Sequence, residues 1–193
     1  IDEDHMEYFK TLDNLIASFT RFAEMSKVII FNGDDENTVR SVQGVKGKEK
    51  ITFGSDATNT YYYKNLNWVH GAFPEFTVYK DGEELGVLQL NVPGEHNILN
   101  ALGAVATAMY CGASFEQCKA SLYNFKGAGR RFEILGEYNG AVIADDYAHH
   151  PKELEVTLSA AMKMDYERVW AVFQPFTFSR TKMLLHEFAE ALS

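Results

Sequence analysis

Asp145, Asp146, Tyr147, Ala148, His149, His150 and Pro151 stand consecutively in the chain. Two carboxylates and two imidazoles this close can ligate a metal, relay protons or grip an amine. An apolar run at residues 141–144 precedes them, and Pro151 suits the first turn of a helix. That places the group at the carboxyl end of a strand, where open α/β sheets bind ligands. Loop acids and histidines about equally often only cap turns. The group therefore needs support from elsewhere in the chain.

Four further groups offer it. In Gly94-Glu95-His96-Asn97-Ile98-Leu99-Asn100 the two asparagines are three residues apart and share one helix face. Their amides can pair with the exocyclic amine and ring nitrogen of an adenine. The plainer reading is that Asn97 caps the helix, but Asn100 inside it is mildly unfavourable. Gly129-Arg130-Arg131-Phe132 sets a basic pair in a glycine-rich hinge, suited either to phosphate or to solvent. Gln174-Pro175-Phe176-Thr177-Phe178-Ser179-Arg180-Thr181 again reads as a strand end followed by a helix. Its Arg180 would reach the rim that holds His149 if the two strands are neighbours. Asp2-Glu3-Asp4-His5 precedes the first helix, as a Mg²⁺ ligand set or as charge at a helix N-terminus. Gly47-Lys48 is followed by Glu49 and lacks the spaced upstream glycine, so no phosphate-binding loop is present.

The elements that must position these groups follow from periodicity. Residues 6–25 carry apolar side chains at helical spacing, and residues 28–31 read as a buried strand. Residues 38–92 break into short alternating pieces, at 58–63, 76–79 and 87–92, and are expected to be mostly antiparallel sheet. Asp81-Gly82 is expected to turn a hairpin between the last two. A helix is expected over 97–111, stopped by Gly112. Ser114 with Gln117 has capping-box form and opens another helix, ending near Phe125. Residues 126–129 hold two glycines and no apolar period, and mark a boundary and candidate hinge. Strand 141–144, helix 151–164, strand 169–173 and helix 181–192 then alternate as parallel βαβ units do.

The 193 residues are 46% hydrophobic and 13% aromatic, enough for a real core. Twenty-seven acidic against 18 basic residues leave a formal charge of -9, which argues against nucleic-acid or anionic-membrane partners. No apolar run spans a bilayer and no secretory leader opens the chain. Cys111 and Cys118 would lie roughly 10 Å apart on one helix, too far for a disulfide. A reduced, cytoplasmic setting is expected.

Taken in order, Asp-His-Met before a helix, Gly-x-His-Asn-x-x-Asn, Gly-Arg-Arg-Phe-Glu, Asp-Asp-Tyr-Ala-His-His-Pro and Phe-Gln-Pro…Ser-Arg-Thr resemble the Mur ligases. The resemblance covers essentially the whole chain, but well under half of a complete family member. It implies an α/β fold in two parts. Residues 1–126 would be the later part of a central ATPase domain, a mixed sheet with antiparallel strands and helices. Residues 127–193 would be the first half of a Rossmann-like C-terminal domain. Within the family the motifs sit closest to the branch that joins L-alanine to the carboxylate of UDP-N-acetylmuramate.

The resemblance also implies roles. His5 would ligate Mg²⁺, and His96, Asn97 and Asn100 would meet the adenine end of ATP. Arg131 would reach the phosphates and Asp146 would hold the nucleotide. Tyr147, His149 and Arg180 would line the amino-acid site, with His5, Arg131, His149 and Arg180 closest to the chemistry. Phe176 and Thr177 replace the His and Arg common in relatives. The piece alone is expected to be inactive, and to self-associate through an exposed sheet edge. Two alternatives stand beside this reading. One is a ligase that recycles murein tripeptide; the other is a metal-dependent hydrolase built on Asp145, Asp146, His149 and His150.

Overall fold

The computed structural model describes residues 1–193. Its elements are α1 (Met6–Phe9), α2 (Leu12–Met25), β1 (Val28–Asn32), α3 (Glu36–Gln43), β2 (Glu49–Gly54), β3 (Tyr61–Val69), β4 (Phe73–Lys80) and β5 (Glu83–Gln89). There follow α4 (His96–Tyr110), α5 (Phe115–Asn124), β6 (Glu133–Tyr138), β7 (Ala141–Asp145), α6 (Pro151–Met162), α7 (Phe178–Met183) and α8 (Leu185–Ala191). They form two compact units. The first comprises residues 1–66, 76–88 and 99–120; the second comprises residues 67–75, 89–98 and 121–193.

The five strands β1 to β5 lie in sequence order in one sheet. β1 pairs with β2, and β2 with β3, in parallel. The expectation of a mostly antiparallel stretch therefore holds only for its second half. The reason is α3, which the sequence reading missed. Asp35 caps it by accepting from the Thr38 N–H, and it provides the crossover that parallel β1 and β2 require. Between β4 and β5 only Asp81 and Gly82 intervene, both with positive φ (51° and 88°), the primed turn expected there.

Within the first unit Ala23, Ile29, Val42 and Val45 form a buried cluster, with Phe31 packed against it. It joins α2, α3 and β1. Gly103 of α4 lies so close to the Phe53 ring of β2 that a Cβ would come within 3.1 Å of it. Gly86 of β5 meets Phe115 of α5 in the same way, at 3.0 Å. Helices thus pack the sheet, and Phe76, Val78 and Leu88 are fully buried in it. The single helix expected over 6–25 is broken. Lys10 takes a positive φ, and Thr11 begins afresh as N-cap, accepting from the Asn14 N–H at 3.2 Å.

In the second unit β6 and β7 form an antiparallel two-stranded sheet, which replaces the parallel βαβ arrangement expected here. Residues 169–173 join no ladder. A cavity of about 720 Å³ lies beside them, bordered also by Val142 and Ala144 of β7 and by Leu154, Leu158 and Ala161 of α6. The helix expected over 181–192 is two, α7 and α8, broken at Leu184. Phe188 of α8 is buried and stacks on Phe173 at 5.3 Å. The β3–β4 tip also belongs to this unit. A Cβ at Gly71 would fall 2.3 Å from the Lys163 carbonyl, and the Lys163 ammonium lies 5.0 Å over Trp68.

Candidate functional site

The loop after β7 is held by its own carboxylates. Asp146 accepts from the Ala148 N–H at 2.7 Å, an Asx turn, and from the Phe132 N–H at 2.8 Å. The second bond crosses to the segment before β6, where Arg130 and Phe132 both have positive φ (57° and 49°). Non-glycine residues hold that conformation only where surroundings impose it. Here the Tyr147 N–H donates to the Arg130 carbonyl at 2.7 Å. The Arg130 Nε donates to Asp145 at 2.8 Å, and its guanidinium lies 5.0 Å over the Tyr147 ring. The paired charge holds the Arg130 guanidinium above its ordinary range.

His150 N-caps α6, with Pro151 in the first turn as its sequence position indicates. Its Nδ1 accepts from the Lys152 N–H at 3.4 Å. Glu153 completes a capping box, taking the His149 and His150 N–H groups at 2.9 and 3.2 Å. The other Glu153 oxygen accepts from Arg131 at 3.4 Å. Burial works to raise the Glu153 carboxyl, but these bonds and the nearby His149 outweigh it and hold the group below its ordinary value. His149 Nδ1 lies 2.9 Å from the Tyr147 carbonyl, which can only accept. Nδ1 therefore carries the hydrogen, and Nε2 of the neutral ring is the acceptor. The ring meets Tyr147 edge-on, 5.1 Å between centroids.

The turn that opens α4 belongs to the same unit. A Cβ on Gly94 would lie 3.5 Å from Ala160 of α6 and under 3 Å from the His96 ring. His96 is exposed overall, with its ring crowded against Gly94. Desolvation of the crowded side keeps its imidazole below the ordinary value of 6.5, against the pull of Asp146 and with the push of Arg131. Arg131, Asp146, Tyr147, His149 and Glu153 are thus gathered at the N-terminal end of α6, with Asp146 and Arg131 near enough to His96 to be felt there, while the Gly94 turn abuts Ala160 near the other end. Asn97 donates to the Pro93 carbonyl at 2.8 Å, so the capping role is realised alongside any other. Asn100 lies one turn further along α4, in the other unit.

Two expected residues are placed elsewhere. His5 lies in the first unit with a left-handed backbone, 3.5 Å from Asp4 and 3.9 Å from Glu7. Arg180 sits in α7; the neighbouring strands that were to bring it beside His149 are not formed, because residues 169–173 do not pair with β7. No three His, Cys, Asp or Glu side chains converge to hold a metal. Asp145, Asp146, His149 and His150, on which the hydrolase alternative is built, each serve Arg130, backbone or helix-cap partners. Glu153 was overlooked in the sequence. Its spacing of three from His150 was the available signal, hidden because histidine is an uncommon N-cap.

Comparison with known proteins accords with this layout. A family model described as the Mur ligase middle domain matches residues 1–108, and one described as the Mur ligase, glutamate ligase domain matches residues 130–193. The chain is 39% identical, over 99% of its length, to the UDP-N-acetylmuramate–L-alanine ligase of Caldanaerobacter subterraneus subsp. tengcongensis. It is 42% identical, over its whole length, to the enzyme of that name from Lachnospira eligens. It spans 42% and 43% of those two relatives. The crystal structure of UDP-N-acetylmuramate-alanine ligase MurC from Thermotoga maritima superimposes with a TM-score of 0.79 at 28% identity, covering 98% of this chain and 41% of that one. With one family model covering more than half of its residues and a second covering most of the rest, the chain belongs to the Mur ligase family.

Proposed function

We propose that residues 1–193 are part of an ATP-dependent ligase that joins L-alanine to the carboxylate of UDP-N-acetylmuramate in peptidoglycan precursor synthesis. Residues 127–193 would be the start of its C-terminal domain, and residues 126–129 the hinge. The observation that carries this reading is the convergence of a phosphate-suited arginine, an oriented histidine and a backbone-locked aspartate at the N-terminal end of α6. The names of the curated relatives supply the substrate class.

ATP would activate the carboxylate as an acyl phosphate, which the alanine amine attacks, forming the amide and releasing inorganic phosphate. Arg131 would offset charge on the phosphoryl oxygens. His149, its Nδ1–H directed at the Tyr147 carbonyl, would in its neutral form offer Nε2 to take a proton from the alanine ammonium. Asp146 keeps the hinge and the loop after β7 in register, so both groups meet the substrates together. Tyr147 and Arg180 would complete the amino-acid site. His96, Asn97 and Asn100 would face the base of the nucleotide.

His5 would offer Mg²⁺ one imidazole nitrogen; Asp4 and Glu7 face opposite nitrogens of its ring and form no closed set with it. This suits an ion that takes its remaining ligands from water and substrate phosphates. The cytoplasm would be the site of action, and no helix is long and apolar enough to cross a membrane.

The test is alanine-dependent phosphate release by the complete ligase, with Arg131→Ala and His149→Ala. Each should lower kcat/KM by about 10²-fold or more, the scale for a charge stabiliser or a general base. Wild-type activity in both variants would sink the reading, as would a preference for a murein tripeptide over alanine.

A further inference from the structure

Glu153 is the one side chain that touches both Arg131 and His149. One carboxylate oxygen takes the His149 and His150 N–H groups and lies 3.6 Å from His149 Nδ1. The other lies 3.4 Å from the Arg131 guanidinium. The side chain is two-thirds buried, on the first turn of a twelve-residue helix, so its position is set by the backbone. Its two oxygens face different partners, and an N-cap alone requires only one of them.

We infer that Glu153 is a positioning residue that fixes Arg131 and His149 in one arrangement, coupling the phosphate-facing and amino-acid-facing sides of the site. The inference rests on the function proposed above for those two residues. Glutamine separates this role from the capping role. Its carbonyl oxygen can keep the backbone N–H groups, as glutamine does in other capping boxes. Its amide would then point at Arg131, donor against donor. Alanine removes both roles.

In the complete ligase, Glu153→Gln should raise the KM for both ATP and alanine by about threefold to tenfold, the scale of a partly exposed charge-assisted hydrogen bond. Its Tm should stay within about 2 °C of wild type, while Glu153→Ala should lose Tm as well. KM values within about twofold of wild type in Glu153→Gln, with Tm lost only in Glu153→Ala, would reduce Glu153 to a helix cap and overturn the inference. If the wild-type enzyme does not use alanine and ATP at all, the proposed function fails instead. NMR on the 193-residue chain then still decides the geometry. Glu153→Gln should shift and broaden the Arg131 Nη1–H resonance while sparing the His149 and His150 amides; an unmoved Arg131 signal would overturn it.

Discussion

The Asp146 carboxylate accepts the Phe132 backbone N–H at 2.8 Å, tying the loop after β7 to the residue that follows Arg130 and Arg131. Fourteen residues separate the two, and both flanking segments are otherwise exposed. Asp146→Ala strands a partly buried N–H and releases a left-handed Phe132. It should cost about 1–3 kcal/mol, read from urea denaturation, and Asp146→Asn should cost less because one oxygen remains. An unchanged unfolding midpoint in the alanine variant would refute the tie.

A second clamp lies at the ends of β1 and β2. Asp34 takes the Ser55 hydroxyl and the Asn59 amide, each at 2.8 Å, and Gly54 packs beneath them. A Cβ on Gly54 would fall 2.3 Å from Asp34 Oδ1 and 2.4 Å from Asn59 Nδ2. Gly54→Ala should destabilise the first unit by roughly 1–3 kcal/mol, the usual cost of overpacking. Thermal unfolding followed by circular dichroism measures it, and an unshifted Tm would show that the Asp34–Asn59 pair can move aside.

Acid should weaken the bonds that Asp34 and Glu153 make. Burial tends to raise the Asp34 and Glu153 carboxyls, but their hydrogen bonds prevail and hold them below ordinary values of 3.8 and 4.5. The unfolded chain therefore binds these protons first as pH falls. Their stabilisation is complete above about pH 5 and fades as pH drops through the lowered folded values. Urea midpoints measured from pH 6 to pH 3 should decline, and Glu153→Gln should flatten part of that decline. A midpoint constant over this range would contradict the assignment.

The purified 193-residue chain should show no ATPase activity and no alanine ligation, because it holds no Gly-Lys-Ser/Thr phosphate loop. Phosphate release above the buffer background would overturn this.

The same chain should self-associate. Val172 and Phe178 are 100% and 98% exposed, Trp170 78%, and residues 169–173 have no ladder partner. Unpaired edges with apolar side chains invite pairing. Light scattering should show mass rising with concentration. A strict monomer at high concentration would count against it.

What could be read from the sequence was whatever is local. The Asp81-Gly82 turn, the Ser114–Gln117 capping box and the stop at Gly112 depend on neighbours in the chain, and all three are found. Strand direction was less legible, because the parallel pairing of β1 with β2 rests on α3, whose apolar content is only Val39 and Val42. Residues 169–173 have the composition of a strand, yet a strand also needs a partner edge, and no local pattern reports that. In the site, residue types were legible and contacts were not. Asp146 was expected to hold a nucleotide, while its visible work is on the backbone of Phe132 and Ala148. Of the two Glu153 partners, His149 is four residues away in sequence, but Arg131, 22 residues away, is brought to it only by folding.

The β3–β4 tip and the approach to α4 are folded with the later part of the chain, although residues 99–120 lie between them and it in sequence. A protease cutting within residues 126–129 would therefore not liberate a self-sufficient C-terminal module. It would strip from that module the Trp68 that shelters Lys163 and the Gly94 turn that abuts Ala160. The two cleaved pieces should stay together in native buffer and part only in denaturant.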